Sequence, residues 1–271
     1  MRWFEPSAPS PDLGDVLSCV WSAAARGRHE LIPDGSVELL WIDGGGTWLC
    51  GPDTHSWAFD LPPGTGISGV RFRPGAAADV LGVHAHEVRD IRVALSDVLG
   101  SRAGRILAER LEEAGGPAAR TTVLEDLIRA RMHERGPGST AELAALVASD
   151  PKFGVGQLAT ETGVSTRQVR RRFDRDVGYG PAFFARIARL QRFARAAASS
   201  PRRGIAELAA HAGYADQPHL AKDCRALAAM TPRELLDVLP RTSIAVTVDR
   251  VGPRVRSVQD GHGGHERRSA A

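Results

Sequence analysis

The sequence predicts an α+β chain, with a small antiparallel β domain in front, a helical linker, and an all-α domain behind. Three observations carry this. Short β-like runs alternate with turn signals over 28–73, the pattern turns helical from Ala76, and one helical unit occurs twice between 153 and 239. With 271 residues, 42% of them hydrophobic and 25% charged, the chain can bury a core in each of two soluble domains.

The β elements are marked by their punctuation. Residues 37–42 (VELLWI) lie between Pro33-Asp34-Gly35 and Asp43-Gly44-Gly45-Gly46. Residues 47–50 end at Gly51-Pro52, 56–61 at Pro62-Pro63-Gly64, and 70–73 at Pro74-Gly75. That spacing predicts a small antiparallel sheet or barrel. Helices follow at 76–83, 95–114, 122–134 and 141–148, with Gly115-Gly116-Pro117 and Gly136-Pro137-Gly138 as breaks. Ser139 opens the last of these, with Glu142 at capping-box spacing. The expected organisation is a β-rich sensor or regulatory domain at 1–110, a helical linker at 111–150, a helical domain at 151–239, and a basic, disordered tail at 240–271.

Charge divides along the same line. Residues 152–239 carry 15 Lys/Arg against 8 Asp/Glu, a net +7, and 240–271 carry 6 against 3, a net +3. Residues 1–151 carry 14 against 21, a net −7. An acidic front joined to a basic back suits a nucleic-acid module with a separate partner domain, although charge alone also describes a solvated face. The three cysteines, Cys19, Cys50 and Cys224, form no C-x-x-C pair and suit a reducing cytoplasm as small buried hydrophobes. No apolar run is long enough for a membrane span, and the N-terminus lacks the apolar stretch of a signal peptide.

The repeat is Leu158-Ala159-x-x-x-Gly163, which returns as Leu208-Ala209-x-x-x-Gly213. In the first copy Leu158 and Ala159 face inward from a short helix, and Gly163 supplies the positive φ of a tight turn. Ser165 is the N-cap of the next helix, with Gln168 three residues on. In that helix Val169 and Phe173 stand one turn apart on one face, while Arg167, Arg170 and Arg171 stand on another. An α-helix fits the major groove, and arginine pairs bidentately with guanine O6 and N7.

These residues resemble the AraC family of bacterial regulators over 152–239. Leu158, Ala159, Gly163, Ser165, Arg167, Arg171 and Phe173 match the pattern of the family's first unit. Ile205, Ala206, Glu207, Ala209, Gly213, Tyr214, Asp216 and Gln217 match its second. The resemblance implies two helix-turn-helix subdomains joined by one long helix, here 181–198 with Pro181 at its first position and Phe183, Phe184, Ile187 and Leu190 buried. It implies a sequence-specific DNA-binding transcription factor whose base-edge contacts fall to Arg167, Arg170 and Arg171, then to Gln217, Pro218, His219, Ala221 and Lys222. Cys224 stands where the family usually has Phe, and Ala229 where it usually has Gly. With Pro218 and Ala221 unable to donate, the second unit is the poorer reader, with Asp216 as its N-cap. Double-stranded DNA is the expected partner, with RNA polymerase and a small-molecule effector as further candidates.

Other motifs are set aside. Gly64-x-Gly66-x-x-Gly69 runs into a strand instead of opening a helix, so no helix N-terminus awaits a pyrophosphate. Ser149-x-x-Lys152 is interrupted by Pro151, and His84-x-His86, His29 and His55 lack a four-ligand pattern. No catalytic residue, cofactor or metal site is expected. In front, the residues around Pro33-Asp34-Gly35 and Val70 to Gly75 resemble a small β domain found in a subset of the same regulators. Trp21, Trp41, Trp48 and Trp57 suggest either a ligand pocket or a barrel core, and Arg71 and Arg73 either an anion site or an exposed charged face. The competing function is a ligand-binding or enzymatic front domain whose helical half docks onto a protein.

Overall fold

The computed structural model describes residues 4–135, 140–150 and 153–239. Ser139, the 136–138 break, Lys152 and the tail 240–271 lie outside them. In chain order the strands are β1 (Phe4–Ser7), β2 (Leu17–Ala24), β3 (Gly27–Leu31), β4 (Glu38–Ile42), β5 (Gly46–Cys50), β6 (Trp57–Leu61), β7 (Gly66–Phe72) and β8 (Arg92–Ala94). Six of them make an antiparallel sheet of order β1-β2-β7-β4-β5-β8, and β3 pairs with β6 in a separate ribbon. Successive side chains on a strand point to opposite faces. One sheet face therefore buries Leu39, Trp41, Leu49, Val70 and Phe72, and the other buries Phe4, Cys19, Trp21 and Ile67. A register shift between Leu17 and Cys19 moves β2 from one face to the other, as a bulge does.

Of the three glycines of 64–69, Gly69 has a steric reason. A Cβ there would lie 2.6 Å from Trp21 Cζ2, so the strand passes under the indole only as glycine.

The helices are α1 (Ala77–Leu81), α2 (Leu95–Leu99), α3 (Ser101–Glu113), α4 (Pro117–Arg135), α5 (Thr140–Ser149), α6 (Val155–Thr162), α7 (Thr166–Val177), α8 (Pro181–Ser199), α9 (Ile205–Ala212), α10 (Gln217–Ala228) and α11 (Pro232–Val238). The single helix expected over 95–114 is two, because Gly100 at φ 84, ψ 148 leaves helical space. α4 begins five residues before the expected start, with Pro117 at its first position. It packs on the sheet through the fully buried Leu124 and Ile128. Glu125 of α4 accepts hydrogen bonds from the Ser10 amide and hydroxyl at 2.6 and 2.8 Å. α5 belongs to the other half: Leu143, Ala144 and Val147 enter the helical core. The span expected as a linker is thus divided between the two cores.

Two readings of the front half need correction. Arg71 is neither exposed nor open to an anion: it is 3% exposed, and its guanidinium is ion-paired with Glu38 and Asp34. Arg73 donates to the Gly14 carbonyl. Nor do the tryptophans converge on one pocket. Trp21 and Trp41 are buried on opposite faces, Trp41 donating to Glu112 with Arg120 over its ring, while Trp57 lies under Arg92.

The halves are joined by specific contacts. Ile32 enters the helical core, and Gln191 of α8 donates to the Pro33 carbonyl at 2.8 Å. Ser56 N–H donates to the Leu227 carbonyl of α10 at 2.7 Å, and Arg89 to the Gly178 carbonyl at 2.8 Å.

Ala229 ends α10 in the left-handed region, at φ 55, with an exposed side chain. A Cβ is strained there, which is why glycine usually fills such a cap. Ala229→Gly is expected to raise stability by about 0.5–1 kcal/mol, after the added freedom of the unfolded glycine is deducted. A rise in the urea midpoint at unchanged slope is the readout.

Candidate nucleic-acid interface

The first unit is α6, a turn, and α7. Gly163 closes α6 in the left-handed conformation, at φ 64. Ser165 then caps α7: its hydroxyl accepts the Gln168 amide at 3.3 Å, and Gln168 Oε1 accepts the Ser165 amide at 2.9 Å. The reciprocal bonds satisfy amides that the first helical turn leaves open. Leu158, Val169 and Phe173 are fully buried, and Ala159 is half-buried against the same core. α7 is therefore fixed by one face. On its other side Arg167, Arg170 and Arg171 are exposed, and no ion pair involves them among the described residues.

Several other arginines of the helical half are engaged by the fold. Arg186 and Arg189 pair with the buried Asp223, and Arg175 with the buried Asp176. Arg192 of α8 donates to the Ala212 and Ala148 carbonyls. A guanidinium held in this way spends its donors on the fold; those of Arg167, Arg170 and Arg171 make no such contact among the described residues.

The second unit is α9, a turn at Gly213 (φ 89), and α10. Asp216 caps α10, accepting the His219 amide at 2.7 Å, with Pro218 in the first turn. Gln217, Pro218 and Lys222 are exposed. Ala221 and His219 are half-buried, and the His219 ring meets Tyr214 edge-on at 5.1 Å. Arg225 is exposed three residues beyond Lys222 and was not singled out from the sequence; the spacing 218, 222, 225 is the helical period that marks it. The fully buried Cys224 fills the position where a larger aromatic is usual, its thiol pushed up to about 12 by burial.

The units are held together by α8, whose Phe184, Ile187, Leu190 and Phe193 are buried, with Phe183 half-buried. At the far end of α7, Asp176 receives Arg175 at 2.6 and 2.8 Å and the Thr140 hydroxyl at 2.7 Å. Burial alone would raise this carboxyl; those hydrogen bonds hold it below the usual carboxylate range. His84 of the front half lies 3.8 Å away. A Cβ on Gly178 would meet Pro52 at 2.6 Å, so the front half closes directly on the end of α7.

Among the described residues no group of three metal-ligating side chains occurs, and no helix is long and apolar enough to cross a membrane.

Comparison with known proteins places two family matches on the chain. A helix-turn-helix domain matches residues 158–237, and a domain of unknown function, DUF6597, matches residues 6–94. No curated protein matches the chain in sequence. Among solved structures, an apo variant of ToxT from Vibrio cholerae aligns with TM-score 0.46 and 10% identity, covering 82% of this chain and 97% of that one. ToxT bound to (E)-4-(8-methylnaphthalen-1-yl)but-3-enoic acid aligns with TM-score 0.46 and 9% identity, covering 88% and 100%. ToxT with bound unsaturated fatty acid aligns with TM-score 0.45 and 9% identity, covering 80% and 94%.

Proposed function

We propose how this chain, a DNA-binding transcription regulator with an AraC-type helix-turn-helix domain at its C-terminal end, divides the work of recognition: α7 reads bases and α10 positions the protein on the backbone. The observation that carries the reading is the set of unpaired, exposed guanidiniums of Arg167, Arg170 and Arg171 on a helix anchored by Val169 and Phe173. Guanine is their natural target, since a guanidinium matches O6 and N7 with two parallel hydrogen bonds.

The second helix offers less. Gln217 can pair with adenine, but Pro218 and Ala221 cannot donate, and His219 is partly occupied by Tyr214. Lys222 and Arg225 then serve as phosphate contacts that fix register. Bound together through α8, the two units present two helices to successive stretches of one DNA face.

The test is a selection from randomised duplexes with the purified full chain. A motif containing guanines, dependent on the α7 arginines, is the expected result. Recovery of no motif at any salt concentration would remove the assignment of base reading to these helices.

A further inference from the structure

The front half touches both recognition helices at the ends away from their reading residues. The first turns of a recognition helix meet the base edges. Arg167, Arg170 and Arg171 accordingly fall in the first half of α7, and Gln217 and Lys222 in the first half of α10. At the other end of α7, Arg89 donates to the Gly178 carbonyl at 2.8 Å and lies 3.9 Å from Asp174. A cation suits that end, where the helix dipole is negative. At the other end of α10, the Ser56 amide donates at 2.7 Å to the carbonyl of Leu227, among the last four that a helix leaves open.

The two donors belong to one body. Asp90 accepts the Thr54 amide and hydroxyl at 2.6 and 2.8 Å, while its own amide donates to the Pro52 carbonyl at 3.1 Å. The Gly51 amide donates to the Ile91 carbonyl at 3.1 Å, and Arg92 grips Asp53 with two hydrogen bonds of 2.6 and 2.7 Å. A Cβ on Gly51 would lie 1.6 Å from the Val88 carbonyl oxygen, so the two segments meet backbone to backbone. Gly178 abuts both of them: its Cβ would lie 2.6 Å from Pro52 and 3.4 Å from the Ala85 carbonyl oxygen. α8 packs against each recognition helix along its side. Contact at the C-terminal end adds a second fixed point, and two fixed points set a helix's direction. We propose that the joined segments 51–56 and 85–92 are a positioning element. They fix α7 and α10 relative to one another, and with them the spacing of the two DNA stretches that the protein accepts. The spacing rests on the DNA-binding reading above; the fixing of the helices does not.

The experiment compares the full chain with Arg89→Ala, with Asp90→Gly, and with Arg105→Ala as control, an exposed arginine paired within α3. Glycine suits the backbone of Asp90, which stands at φ 60. Spin labels on Thr166→Cys and Ala226→Cys, exposed positions of α7 and α10, report the helix separation without DNA; the native cysteines are buried. One narrow distance is expected in the wild-type chain and the control, and a broadened distribution in Arg89→Ala and Asp90→Gly. Affinity is then measured for the selected duplex, with and without one base pair inserted between the stretches that the two units protect. The insertion displaces one stretch by about 3.4 Å along the axis and about 35° around it. It should weaken the wild-type chain and the control by about tenfold or more, but the two variants by about threefold or less. Unchanged distances in both variants would overturn the proposal. So would broadened distances with the full insertion penalty, or tighter binding at the same penalty, which would make the contact inhibitory. If no protein binds the duplex, the DNA-binding reading fails, and the distances alone decide whether the front half fixes the helices.

Discussion

Alanine in place of Arg170 or Arg171 lowers affinity for the selected site by about 5- to 150-fold, or about 1–3 kcal/mol, and relaxes preference at one base position. The effect is local to recognition because both side chains are exposed and the fold is carried by Val169 and Phe173 on the opposite face. Circular dichroism should show unchanged helicity in both variants. Lys222→Ala, by contrast, weakens all sequences by a similar factor, as loss of a phosphate contact does. If both arginine variants kept the wild-type preferences while Lys222→Ala altered them, the roles of α7 and α10 would be exchanged.

Arg71→Leu destabilises the chain by about 3 kcal/mol, because it leaves two largely covered carboxylates, Asp34 and Glu38, without their cation. Glu38 on the neighbouring strand and Asp34 in the preceding turn both pair with this guanidinium, which also lies 5.5 Å from the Phe4 ring. Replacing Glu38 by Leu as well should recover part of the loss, since a buried pair exchanged for apolar groups is often close to neutral. Urea unfolding of the two variants measures this; equal losses would mean that Glu38 is not the carboxylate that suffers. The consequence reaches the helical half. Asp34 precedes Gly35, where a Cβ would lie 2.6 Å from Phe184 of α8, so the turn that Arg71 holds is also the surface on which α8 rests.

Residues whose roles are set within one turn of chain were legible in the sequence. Gly163 and Gly213 are left-handed because the chain must reverse within a few residues, and Ser165 and Asp216 cap because their side chains reach amides three positions on. The exposed arginines of α7 follow from the same periodicity that buries Val169 and Phe173.

What could not be read depends on partners distant in the chain. Arg71 alternates with apolar neighbours like an exposed strand residue, and nothing local shows that Asp34 and Glu38, more than thirty positions earlier, meet it in the interior. β2 went unrecognised because Leu17 to Trp21 are buried continuously across a bulge, which erases the period of two. Four tryptophans close in sequence suggested a common site, but strand alternation sends Trp21 and Trp41 to opposite faces.

The central claim, that the basic half engages the DNA backbone while α7 reads its bases, is tested most directly by the affinity of the full chain for its selected duplex over a series of salt concentrations. The account predicts that log affinity falls linearly and steeply with log salt, at about −0.9 for each phosphate neutralised. A slope near zero would contradict it, because the arginines and lysine of α7 and α10 would then not be on DNA.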